Sequence, residues 1–123
     1  MDPEPAINVL GSELRVCSTR PLTGFFRDGH CQTCAEDHGC HTVCVEVSED
    51  FLRWQAEAGN DLTTPRPEYD FPGLRPGDRW CVCASRWRDA VESGVAAPVV
   101  LAATHQRTLE IVPLTQLRAH ACG

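Results

Sequence analysis

Residues 41–47 read HTVCVEV, and after Ser48 the chain continues EDFLRWQAEA over 49–58 before reaching Gly59. Val43, Val45 and Val47 alternate with Thr42, Cys44 and Glu46, which is the period of a half-buried strand. That period places His41 on the valine side and Cys40 with Cys44 on the other. Ser48 is a good N-cap, and Glu49 and Asp50 complement the helix dipole in the first turn. Gly59 suits the left-handed position just past a helix end, so a helix is expected over 49–58. A strand feeding directly into an amphipathic helix argues for a mixed fold rather than an all-helical or all-β one.

Reading outward from this unit gives the remaining elements. Upstream, residues 17–35 read CSTRPLTGFFRDGHCQTCA. Asp28-Gly29 lies between two short extended runs and predicts a hairpin turn. Downstream, seven of the twenty residues from 59 to 78 are Pro or Gly, with no period of 2 or 3.6. This predicts an irregular ordered loop built on Pro72-Gly73 and Pro76-Gly77, anchored by Tyr69, Phe71 and Leu74. RWCVC at 79–83 reads as a strand. Ala84, Trp87, Ala90 and Val91 form an apolar stripe on a helix over 84–93 that Gly94 ends. VVLAAT at 99–104 and TLEIV at 108–112 read as two more strands, and 114–121 as a terminal helix with Leu114, Leu117 and Ala121 inward.

The expectation is therefore a small single α+β domain. It has mostly antiparallel strands, two or three short helices and a long ordered Pro/Gly-rich loop. Residues 1–13 form an N-terminal arm, pinned by Ile7, Val9 and Leu10, and 14–123 form the domain.

With 123 residues the chain has room for one core. Its 11 basic residues are all Arg, set against 17 acidic ones, for a net charge of -6. Such a balance opposes a nucleic-acid partner, which calls for a basic face. Without any Lys, a Schiff-base enzyme, a Walker-type phosphate loop and a kinase lysine are excluded. No run approaches the roughly 20 apolar residues of a membrane span, so no membrane partner is expected. The start, MDPEPAINVLGSELRV, has neither a basic n-region nor an apolar h-region. A cytoplasmic location with reduced thiols is the corresponding expectation.

The densest chemical signal lies between residues 30 and 44. His30, Cys31, Cys34, His38, Cys40, His41 and Cys44 put seven N/S donors into fifteen residues. Zinc takes four such donors in a tetrahedron, and a pair such as Cys31-x2-Cys34 lets one turn supply two of them. A second signal is Cys81-Val82-Cys83, where a strand would set both thiols on one face. Thiols can equally be small buried hydrophobes, pairs in bridges that the even count of eight allows, or a nucleophile, with Cys17 near Arg20 or Cys31 near Arg27 and His30 as candidates and His41 or His105 as the base. Arg27, Asp28, Asn60, Asp61, Arg79 and His105 fall at turns and element ends. They are the candidate ligand-binding residues, since Arg can clamp a carboxylate or phosphate through two hydrogen bonds.

The stretches CSTRPLTGFFRDGHCQT, HTVCVEV, GNDLTTPRPEYDFPGLRPGDRWCVCASRW and GVAAPVVLAATHQRTLEIV, taken together, resemble the bacterial domain-of-unknown-function family numbered 2237. The resemblance runs from residue 8 to about 121. It implies kinship and a small cytoplasmic protein, and brings no activity with it. Cys17, Cys31, His41, Cys44, Cys81 and Cys83 match the family pattern, as do Arg27, Asp28, Asn60, Asp61, Arg79 and Trp80. Cys34 and Cys40 depart from it. The resemblance thus moves the expected metal set to Cys17, Cys31, His41, Cys44, Cys81 and Cys83, gathered from distant segments.

Three functions are consistent with these readings. The first is a binding or accessory domain with a cysteine-rich centre that could hold zinc, its protein or small-molecule partner unidentified. The second is a thiol-dependent enzyme using a Cys–His pair. The third is a pure interaction module docking through Tyr69 and Phe71.

Overall fold

Strand β1 (Val43–Glu46), within the alternating 41–47 stretch, pairs antiparallel with β2 (Arg79–Val82), within the expected strand at 79–83. The register sets Val43 opposite Val82, Cys44 opposite Cys81, Val45 opposite Trp80 and Glu46 opposite Arg79. One face of this ribbon is therefore aliphatic and aromatic, and the other carries sulfur. These positions belong to a computed structural model that describes residues 3–122; Met1 and Asp2 of the expected arm, and Gly123, lie outside the described residues.

A two-stranded ribbon is marginal by itself and has to be covered on both faces. Helix α1 (Glu49–Glu57) and helix α2 (Ala84–Glu92) join the core on the valine face. Ser48 caps α1 as expected, its Oγ accepting from the Phe51 amide at 3.1 Å. Gly59 takes the positive φ of +92° that ends the helix. Helix α1 buries Phe51, Leu52 and Gln55, and α2 buries Ala84, Trp87 and Ala90. Trp87 donates its indole N–H to the Ala97 carbonyl at 2.9 Å, which satisfies the one polar atom of that ring. Helix α3 (Leu114–Ala119) adds Leu117 to the same core, while Ala121, expected to point inward, is exposed.

The outer edges of the ribbon are closed by side chains and irregular chain. Thr104 Oγ1 accepts from the Cys44 amide at 3.1 Å, and Thr23 Oγ1 accepts from the Cys81 amide at 2.9 Å. Val100 donates its amide to the Cys44 carbonyl. Residues 99–104 and 108–112, expected as strands, supply this closure as short 3₁₀ turns at Leu101–Ala103 and Gln106–Glu110. Local hydrogen bonds explain the difference. Thr104 donates its hydroxyl to the Val100 carbonyl, and His105 Nδ1 accepts from the Arg107 amide, so the chain turns on itself. Their apolar content reflects burial of Val99, Val100, Ala103 and Val112 rather than extension.

The hairpin expected at Asp28-Gly29 is also absent. Gly29 has a positive φ of +89°, but so does Arg27, at +53°, and Asp28 does not, so no type I′ turn forms. Residues 17–31 instead close into a loop. Cys17 and Ser18 both donate to the Gly29 carbonyl, and Gly29 donates to the Thr23 carbonyl. Strands are accordingly fewer than expected, two in one sheet among the described residues, and the α+β class holds. On the N-terminal side, Val9 and Leu14 are buried and Leu10 is exposed. Asn8 ties that segment to the rest by donating to the Ala102 carbonyl at 3.0 Å.

Candidate functional site: a sulfur centre beneath an arginine-lined cavity

The sulfur face of the ribbon is covered by the 17–31 loop. Cys17 is bonded to Cys44 with an S–S distance of 2.06 Å, and Cys31 to Cys81 with 2.04 Å. All four residues are buried, together with Val100 and Ala103. The sulfurs of Cys17, Cys31 and Cys81 lie within 4.8 Å of one another. Four of the six residues expected as metal ligands therefore meet in one place, as two bridges. Cys17 and Cys31, the candidate nucleophiles, are both engaged in these bridges and carry no free thiol, which corrects that expectation. Cys44 and Cys81 sit at directly opposed ladder positions, and each is bonded to one end of the 17–31 loop.

His41 and Cys83, the other two expected ligands, lie elsewhere. Strand β2 ends at Val82, and Cys83 is the N-cap residue of α2 rather than a strand residue. The two thiols of the CVC motif therefore part company: Cys81 enters a bridge and Cys83 stays free. Its Sγ lies 3.2 Å from Ser85 Oγ. Cys34, Cys40 and Cys122 are also free, and burial pushes the Cys40 and Cys122 thiols up from their ordinary value.

A cavity of about 520 Å³ opens above this region, walled by the 24–27 turn, the 60–71 loop and β2. Arg27, Asn60, Asp61, His41 and Cys83 line it, with Arg66 and the aromatic side chains of Phe25, Tyr69, Phe71 and Trp80. Three of the six expected ligand-binding residues, Arg27, Asn60 and Asp61, thus converge with His41 and Cys83. Asp28, Arg79 and His105 do not line the cavity. Asp28 Oδ1 accepts from the His30 amide in its own turn. Arg79 is exposed opposite Glu46. His105 is fully buried against the N-terminal segment.

Each wall is built locally. Arg27 is held in the left-handed region by its amide and its Nη1, both donating to the Gly24 carbonyl at 3.0 Å. That turn lays the guanidinium over the Trp80 ring, 5.2 Å from its centroid. Trp80 is braced in turn by Phe71, with ring centroids 5.2 Å apart. Gly73, at φ +80°, lets the loop pass the Thr63 carbonyl, which any Cβ there would strike. Asp61 is committed to its own loop, accepting from the amides and hydroxyls of Thr63 and Thr64. The Thr64 hydroxyl first, then the Thr63 amide, hold its carboxyl far below the usual carboxylate range. Asn60 donates to Gln55 Oε1 at 3.0 Å and ties the loop to α1.

His41 is the most firmly oriented polar group in the cavity wall. Its Nδ1 lies 2.7 Å from Asp37 Oδ1, and its amide donates to Asp37 Oδ2 at 3.0 Å. The Asp37 side chain is 1% exposed, the His41 ring 45%. Thr33 Oγ1 also donates to Asp37 Oδ2. A buried carboxylate holding one ring nitrogen leaves Nε2 as the free nitrogen of the imidazole. Asp37 and Arg66 were not singled out by the sequence reading. Asp37 carried only the weak signal of an acid four residues before a His, and Arg66 only its place between two prolines.

Electrostatically the cavity is positive in an otherwise acidic chain. Arg27 and Arg66 form no ion pair among the described residues, as holds there for every arginine but Arg53 and Arg107. The one carboxylate facing them, Asp61, already accepts hydrogen bonds from two threonines. Such a site can receive a small planar anion, with guanidinium groups for its charge and aromatic rings for its faces.

The fold and the site define a small α+β domain with a doubly bridged cysteine centre, one member of which, Cys81, also lines an arginine- and aromatic-lined cavity. The chain belongs to the family of uncharacterised proteins conserved in bacteria, DUF2237, whose model matches residues 7–121. No curated protein matches it.

Proposed function

We propose that the protein is a small-molecule-binding domain, and that its ligand is a compact planar carboxylate seated in the 520 Å³ cavity. One observation carries this reading: two unpaired guanidinium groups, Arg27 and Arg66, share the cavity with the aromatic wall of Phe71 and Trp80. Charge-assisted hydrogen bonds to Arg supply orientation, and the rings exclude water around them. Calorimetric titration with benzoate and with its neutral isostere benzamide tests the reading. Benzoate binding with a dissociation constant on the order of 1 mM or below, and benzamide binding at least about tenfold weaker, is the expected result. Equal affinities, or none for either, remove it.

In the same reading the sulfur centre is structural. As two bridges it fastens the 17–31 loop, and with it Arg27, to the ribbon. A second form of that centre is favoured by the closeness of the Cys17, Cys31 and Cys81 sulfurs. Reduced, the four thiols of Cys17, Cys31, Cys44 and Cys81 become a candidate tetrahedral zinc set. A cytoplasmic home goes with that four-thiol form, and an oxidising compartment with the bridged one. Elemental analysis of protein made and kept under reductant tests it: about one equivalent of zinc is expected, and less than about a tenth removes the zinc form.

A further inference from the structure

We propose that Cys83 is a catalytic nucleophile, with His41 as its base and Asp37 as a positioning residue, acting on the acyl carbon of a carboxylate-bearing ester or thioester. The inference rests on the cavity being the ligand site and adds a reaction to it. Cys83 is the one free cysteine lining the cavity, and His41 lines the same cavity. A half-exposed imidazole whose Nδ1 is fixed by a fully buried, triply hydrogen-bonded carboxylate keeps Nε2 as its free nitrogen, while Cys83 Sγ rests 3.2 Å from Ser85 Oγ, so that bound substrate has to bring thiol and imidazole within reach of each other. Gly39 makes room for it, since a Cβ there would come within 2.7 Å of the His41 Cε1.

Cys83 also stands at the N-terminus of α2, where Trp87 donates the first intrahelical bond back to the Cys83 carbonyl. The Ser85 and Arg86 amides ahead of it have no intrahelical acceptor, so negative charge developing on an acyl oxygen beside the sulfur meets the positive end of the helix. Arg27 and Arg66 would hold the carboxylate that marks the substrate.

The steps balance without an external oxidant or reductant. His41 Nε2 takes the thiol proton as sulfur bonds to the acyl carbon. The bond from that carbon to the leaving oxygen or sulfur breaks, and the leaving group takes the proton from His41. Water, deprotonated by His41, then adds to the S-acyl carbon. The C–S bond breaks, the acid departs and the thiol regains its proton.

The test uses the bridged chain without reductant. Iodoacetate, a carboxylate-bearing alkylating agent, is followed by mass spectrometry of the cysteine peptides. Cys83 is expected to be carboxymethylated at least about tenfold faster than Cys40 or Cys122, and His41→Asn to remove that advantage. With p-nitrophenyl acetate, a burst of about one equivalent of p-nitrophenol is expected, lost in Cys83→Ser, a half-buried site where the change from sulfur to oxygen leaves the fold intact. Cys83 reacting no faster than Cys40 and Cys122, or a burst that persists in Cys83→Ser, overturns the proposal. Benzoate titration of the unaltered chain separates the two readings. Benzoate binding without acylation removes the reaction and leaves the binding site, whereas acylation without benzoate binding keeps the reaction and removes the carboxylate specificity.

Discussion

Cys44 and Cys81 face each other across the β1–β2 ladder, and each is bridged to a different end of one loop, to Cys17 and Cys31. The bridges close segments separated by 27 and 50 residues. Loop-closure entropy for such lengths corresponds to about 3.5–4 kcal/mol each, less where the closed segments overlap as these do. The double substitution Cys17→Ser with Cys44→Ser is expected to lower the unfolding free energy by about 2–4 kcal/mol in a denaturant titration. Stability equal to the parent's would show that the bridge does not brace the native chain.

Arg27 spends a positive φ of +53° to lie over Trp80. Arg27→Ala removes one charged hydrogen-bonding group from the cavity and is expected to weaken benzoate binding by about tenfold or more. Arg27→Lys is expected to lose nearly as much, because an ammonium neither forks nor stacks as guanidinium does. Because Arg27 is exposed, the melting temperature is expected to shift little. Calorimetry and thermal denaturation of the two variants separate affinity from folding.

His105 gives the chain a pH dependence of known sign. It is fully buried, and burial holds its imidazole below the ordinary value, opposed more weakly by the Pro5 carbonyl and Glu4. The folded state therefore prefers the neutral ring. Above about pH 6.5 both states are neutral and the preference is fully satisfied; as pH falls below it the unfolded chain takes up a proton that the folded chain resists. Stability is expected to fall as pH drops from 6.5 through the lowered folded value. His105→Asn, which keeps an acceptor for the Arg107 amide, is expected to flatten that slope at a general cost of about 1–3 kcal/mol. Denaturant midpoints between pH 7 and 5 check it, and an unchanged slope would assign the dependence to another group.

Gly39→Ala tests the placement of His41 without touching its chemistry. The new methyl group meets the His41 ring rather than backbone, so the ring has to move against its bond to the buried Asp37 carboxylate, at an expected cost of about 1–3 kcal/mol. Carboxymethylation of Cys83, read where the variant remains folded, is expected to slow several-fold. Unaltered kinetics would mean that the ring position does not govern the thiol.

The parts of this fold that were legible in the sequence are those where one local signal decides. Val43, Val45 and Val47 alternate on a ribbon with a buried face, and Ser48, Gly59 and Gly94 bound helices through their own backbone preferences. Residues 99–112 misled because burial and extension leave the same apolar trace, and neither the local bond from the Thr104 hydroxyl to the Val100 carbonyl nor the distant partners of Thr104 and Thr108 leave a mark in it. Thr104 serves the Cys44 amide, and Thr108 meets Thr42 at 2.7 Å. For the site, turn chemistry pointed to Arg27, Asn60 and Asp61, and donor chemistry to His41 and Cys83. That Cys83 leaves the sulfur centre depends on β2 ending one residue early, where the Ala84 amide turns to the Cys40 carbonyl. Asp37 became visible only with its burial, because an acid in a polar stretch has no sequence mark of being enclosed.

The central claim, a carboxylate seated between Arg27 and the Trp80 wall, is tested most directly by titrating isotope-labelled protein with benzoate and following arginine side-chain and tryptophan indole resonances by NMR. Saturable shifts confined to Arg27, Arg66, Trp80 and the neighbouring 60–71 amides are predicted. Shifts absent from these groups, or spread over the exposed arginines of α1 and α2, would contradict it.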